Sequence, residues 1–79
     1  MLRLLFLGRL QDLAGAAERQ VAALAGGTVA DLIASLEPQL ADELASERVR
    51  VAVNGTLASR ACAIADGDEI AFLPPVSGG

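Results

Sequence analysis

The chain has 79 residues, of which 53% are hydrophobic, and ten acidic side chains against six basic ones give a net charge of −4. That length allows one core but no deep internal cleft, so any chemistry calls for a partner, and the acidic balance favours a basic protein surface over nucleic acid. All six bases are arginine, and histidine, lysine, tyrosine and tryptophan are absent, which removes most of the usual acid–base and nucleophilic toolkit.

The opening MLRLLFLGRLQ is apolar, yet it is too short and lacks the small-residue cleavage site of a signal peptide. No run approaches the roughly 18 apolar residues that a membrane helix needs. The expectation is a cytoplasmic domain with no membrane partner. Residues 2–7, LRLLFL, form a predicted first strand, in which Leu5 and Leu7 oppose Leu2, Leu4 and Phe6. Such a strand is apolar on both faces and either sits centrally or leaves one apolar face open.

In RLQDLAG, Leu10 and Leu13 are spaced one helical turn apart and Gly15 is placed to end the turn. A second strand, antiparallel to the first, is expected over 18–24. At Thr28 a capping box with Asp31 opens an amphipathic helix, with Val29, Leu32, Ile33 and Leu36 on one face, that Pro38 ends or interrupts. Pro38 then suits the first position of a second short helix carrying Leu40 and Leu44.

RVRVAV, residues 48–53, alternates cleanly, with Val49, Val51 and Val53 inward. Asn54-Gly55 is a strong hairpin signal, so Thr56 and Leu57 should fold back on that strand. The lone Cys62 excludes an intramolecular disulfide and a cysteine-built metal site, and within ACAIA it reads as a small core residue rather than a nucleophile. Asp66-Gly67-Asp68 marks a turn before a last strand, residues 69–73, in which Ile70 and Phe72 oppose Ala71 and Leu73. Asp66, Asp68 and Glu69 form the only dense acidic cluster, and a solvated turn explains it better than a metal site does. Pro74 and Pro75 cannot donate to a ladder, so the sheet ends there and residues 74–79 form a flexible tail on a domain of residues 1–73. Because the Thr28 helix cannot bury its stripe alone, the order of elements implies an α+β fold, one sheet wrapped over one main helix.

The tail closes on PPVSGG. The prolines stiffen its exit, and Gly78 and Gly79 remove the bulk that would keep a terminus out of a narrow slot. A carboxylate there becomes reactive once converted to a mixed anhydride with AMP. The activation must come from an ATP-using partner, because the chain has neither a GxxxxGK[ST] loop nor a lysine to complete one.

The strand–helix–strand order, VNGTLAS after a valine strand and above all DGDEIAFLPPVSGG resemble the molybdopterin synthase small-subunit family, ubiquitin-like sulfur carriers of the β-grasp fold. The resemblance runs over essentially the whole chain. It implies that Gly79 is adenylated by an E1-like activating enzyme, becomes a thiocarboxylate and gives its sulfur to a pyranopterin precursor in the large subunit. It further implies that Val76, Ser77 and Gly78 thread the partner's pocket and that two large and two small subunits assemble. No cofactor is then bound by this chain, and ATP is used by the activating partner.

Leu7, Leu57 and Leu73 match the family's apolar docking patch, which often carries aromatic residues. An exposed cluster of this kind marks an interface unless the Leu40 helix or a loop covers it. Two other readings stand beside this one: a related carrier for thiamine, cysteine or tRNA thiolation or for protein tagging, and a β-grasp binding module with an idle tail.

Overall fold

The structure, a computed structural model, describes residues 1–23 and 27–75. Five strands, β1 (Leu2–Phe6), β2 (Glu18–Val21), β3 (Arg50–Val53), β4 (Thr56–Ala58) and β5 (Glu69–Leu73), form one mixed sheet in the order β2-β1-β5-β3-β4. The last strand lies at the centre, parallel to β1 and antiparallel to β3. This central position requires β5 to be apolar on its inner face, and Ile70 and Phe72 are both fully buried.

Alternation sorts the residues as expected. Leu2, Leu4 and Phe6 face the core, and so do Val49 and Val51; the strand expected over 48–53 begins only at Arg50, with Val49 buried just ahead of it, and Val53 packs against the core only partly buried. The expected second strand is confirmed over Glu18–Val21 with the antiparallel pairing Leu2↔Val21 to Leu5↔Glu18, while Leu24 lies outside the described residues. The hairpin turn has Asn54 at φ 51° and Gly55 at φ 85°, the pair of positive values that a two-residue primed turn needs.

Three short helices cover the inner face: α1 (Leu10–Ala14), α2 (Val29–Ala34) and α3 (Pro38–Leu44). The Thr28 capping box is present in both directions, with the Asp31 N–H donating to Thr28 Oγ1 at 3.3 Å and the Thr28 N–H donating to Asp31 Oδ2 at 3.0 Å. The other free N–H groups of that helix end are met by the chain ahead of β5: Val29 donates to the Cys62 carbonyl and Ala30 to that of Arg60. Helix α2 stops at Ala34, and Leu36 packs on the core from the connection. The extended ψ of 142° at Glu37, just before Pro38, shows why the helix cannot run on. Pro38 starts α3, which buries Leu40 and Leu44, so the Thr28 helix shares the cover with a neighbour of similar length.

Two side chains depart from the expected pattern. In α1 the buried pair is Leu10 and Ala14, four apart, whereas Leu13 is exposed. Cys62 is only partly buried, at the rim of the core. One apolar cluster joins the inner face of the sheet to all three helices, with Phe6 stacked on Phe72 at 5.6 Å between ring centroids.

Candidate docking face and tail root

Because all three helices pack on one side, the other side of the sheet carries no secondary structure among the described residues. Paired residues share a face, so the register places one row of side chains across it: Glu18, Leu5, Ala71, Ala52 and Leu57, on β2, β1, β5, β3 and β4 in turn. The next row begins with Leu73 opposite Arg50. Leu7 lies just past β1, tied to β5 by its N–H, which donates to the Phe72 carbonyl at 3.1 Å.

The three predicted leucines therefore stand on the open side of the sheet. Leu57 is 61% exposed, Leu7 is 40% exposed and Leu73 is half-buried. The alternative in which α3 covers them does not hold, since Leu40 and Leu44 are buried in the core with Phe6 and Phe72. Three further members were not singled out from sequence. Leu5 is half-buried in the same row, and Ala52 and Ala71 form a low floor between Leu5 and Leu57. Leu5 has the same strand parity as Leu7, a signal available in the sequence. The alanines needed the register.

Ionic contacts frame this face. Arg3 reaches Glu18 at 3.4 Å and Glu69 at 3.2 Å, closing one end of it with neutralised charge. At the other end β5 leads into Pro74 and Pro75. Gly8 sits against that exit at φ 55°, and a Cβ placed on it would meet Pro74 Cγ at 2.9 Å, so the glycine lets the loop after β1 brace the root of the tail. A groove of about 420 Å³ beside the same exit is lined by Glu47, Arg48, Arg50, Leu73, Pro74 and Pro75.

The DGDE cluster is occupied by the turn itself. Asp68 accepts from the Asn54 amide at 3.0 Å and from the Ala65 N–H at 2.8 Å, while Asn54 Oδ1 accepts from the Glu69 N–H at 3.0 Å. These bonds hold the Asp68 carboxyl below its usual range, with the Asn54 contact the larger cause. Asp66 pairs with the N-terminal amine, which lowers its pKa in the same way. No group of three or more potential metal ligands occurs among the described residues, and no described helix is long and apolar enough to cross a membrane. The remaining predicted site residues, Val76, Ser77, Gly78 and Gly79, lie outside the described residues.

With this geometry in view, comparison with known proteins finds that the ThiS family matches residues 4–79. The chain belongs to the ThiS family. Its match therefore includes the diglycine as well as the sheet. Among similar proteins, a molybdopterin synthase sulfur carrier subunit of Escherichia coli is 38% identical over 100% of both chains. Another of the same description from Mycobacterium tuberculosis is 34% identical over 95% of this chain and 93% of its own. Among solved structures, SAMP1 from Haloferax volcanii matches at a TM-score of 0.82 with 28% identity, covering 99% of this chain and 98% of that one. A chain of the Helicobacter pylori complex of subunits 1 and 2 of molybdopterin-converting factor matches at a TM-score of 0.69 with 26% identity, covering 99% of this chain and 97% of that one. The β-grasp expectation is met by these neighbours and by the mixed five-stranded sheet.

Proposed function

We propose that this chain is the sulfur-carrier small subunit of a molybdopterin synthase, a cytoplasmic protein that is inert alone and acts through its last residue. The observation that carries the reading is the family match, which runs through Gly79 on a fold whose sheet face opposite the helices is open and apolar. In this reading the Gly79 carboxylate attacks the α-phosphorus of ATP in an E1-like partner and releases pyrophosphate. Hydrosulfide then attacks the acyl carbon, the bond to AMP breaks, and AMP leaves a thiocarboxylate behind with no change of oxidation state. The large subunit docks on Leu5, Leu7, Leu57 and Leu73, and Val76, Ser77 and Gly78 thread its pocket to deliver sulfur to the pyranopterin precursor. A dithiolene holds two sulfurs, so each product consumes two loaded carriers, which suits an assembly of two large and two small subunits.

Mass spectrometry after incubation with the activating enzyme, ATP and a sulfide source tests the reading. Replacement of one terminal oxygen by sulfur is expected, followed by its loss when large subunit and precursor are added. One residue added after Gly79, or Gly78→Trp, should abolish loading while the fold and the docking face stay intact. An unchanged terminus, under conditions that load a known carrier, would sink the proposal. The likeness to SAMP1 from Haloferax volcanii favours one second reading, a related carrier or protein modifier with the same tail chemistry. Loading followed by transfer to a different acceptor, with none to the pterin precursor, would identify that case.

A further inference from the structure

We propose that Arg48 and Arg50 form a basic collar at the root of the tail that engages carboxylates at the mouth of the large subunit's channel. The inference rests on the proposed function, because it takes the large subunit as the protein that receives the tail.

The arginines of this acidic chain divide by what they hold. Arg3 pairs with Glu18 and Glu69, and Arg19 pairs with Glu37 at 2.8 Å. Arg60 spends its guanidinium on the carbonyls of Leu44, Ser46 and Val49, at 2.6 to 2.8 Å from Nη2. Arg9 borders a separate groove with Leu10, Leu13 and Glu43. Arg48 and Arg50 are exposed, and among the described residues neither forms an ion pair. Both line the groove beside Pro74 and Pro75, where Glu47 is the single carboxylate against two guanidiniums. Arg9 is likewise exposed and without an ion pair among the described residues but stands alone, so two of the three uncommitted guanidiniums lie together where the chain leaves the sheet, in a protein whose net charge is −4.

Position decides what this charge meets. Four residues follow Pro75, and fully extended they reach about 14 Å at most. With the tail inserted, the collar is held against the mouth of the receiving channel and away from the reacting end. Arg50 is also continuous with the docking face, opposite Leu73 in register and beside Leu57 along a second groove. A surface that joins leucines to guanidiniums is suited to a protein rim, with apolar side chains over the sheet and carboxylates over Arg48 and Arg50. Exposed unpaired guanidiniums act mainly by speeding encounter and setting orientation, and salt screens that effect.

The test measures association of the full chain with purified large subunit by stopped flow at low salt and at about 0.5 M salt. Arg48→Glu and Arg50→Glu should each slow association about 3- to 10-fold at low salt, and the double reversal about 10- to 100-fold, with the differences collapsing at high salt. Arg50→Gln should fall between wild type and reversal, and Arg50→Lys should stay near wild type if charge is what counts. Circular dichroism melts confirm that each variant is folded. Reversal variants that associate within twofold of wild type at low salt would overturn the collar alone, as would a loss indifferent to salt. Failure of the unsubstituted chain to bind the large subunit would overturn the proposed function, and the collar with it.

Discussion

Truncating Leu57 separates docking from folding. The side chain is 61% exposed on the three-residue edge strand β4, so the folded chain gains little from it and Leu57→Ala should change stability by no more than about 0.5 kcal/mol. Under the proposed docking, its value lies in the complex. Fully burying a leucine is worth about 1.5–3 kcal/mol, and covering the fraction left open here is worth about 1–2 kcal/mol, or roughly 5- to 30-fold in Kd. Leu57→Asp adds the cost of desolvating a carboxylate at the contact and should weaken binding more than about 100-fold. Titration calorimetry against the large subunit reads both effects, with thermal melts as the folding control. Leu13→Ala is the matched comparison: Leu13 is 42% exposed but belongs to α1, on the helical side of the sheet, and should leave Kd unchanged. Binding of Leu57→Ala within twofold of wild type, or an equal loss in Leu13→Ala, would refute the docking role of Leu57.

Phe72 is fully buried on the central strand and stacked on Phe6. Phe72→Ala should cost about 3–5 kcal/mol, close to the whole stability of a domain this small, and leave much of the chain unfolded in a thermal melt. Thr28→Ala removes one arm of the capping box. It should cost about 1 kcal/mol and lower Tm by about 4–8 °C without changing affinity for the large subunit. The side-chain hydrogen bond from Arg19 holds the Glu37 carboxyl below its usual value. A carboxylate with a depressed folded-state pKa adds stability that is present above its unfolded value, near 4, and lost as pH falls through the folded value. Tm should therefore drop as pH falls below about 4, and Arg19→Met should flatten that part of the curve; an unchanged slope would refute the assignment.

Elements with a local physical cause were legible in the sequence. The Thr28 box, the Asn54-Gly55 turn and the proline stop depend on neighbours within four residues and stand where expected, while the valine alternation holds for Val49 and Val51 although its strand begins only at Arg50. Leu13 misled because spacing three and spacing four both lie on a helical face, and only packing decides that Ala14 turns inward. The length of α2 depended on how far Pro38 constrains the residue before it, and α3 proved its equal in cover because the core had room for both Leu40 and Leu44. On the open face, parity alone pointed to Leu7 and Leu73, whereas the floor of Ala52 and Ala71 between Leu5 and Leu57 is a matter of register across four strands.

The sequence by itself determined the kind and order of the strands and helices and that the sheet must stop at Pro74, because these depend on backbone chemistry along the chain. The tertiary structure alone decided that the last strand lies at the centre, between the first and the third. That placement orders Leu57, Ala52, Ala71 and Leu5 into one face and sets Leu73 opposite Arg50. It also sets Pro74 and Pro75 between the loop at Gly8 and the guanidiniums of Arg48 and Arg50, which form no ion pair among the described residues. The physical reason is that a strand's side chains choose a face by parity, while which strands become neighbours depends on burying one shared core, and that choice is not local.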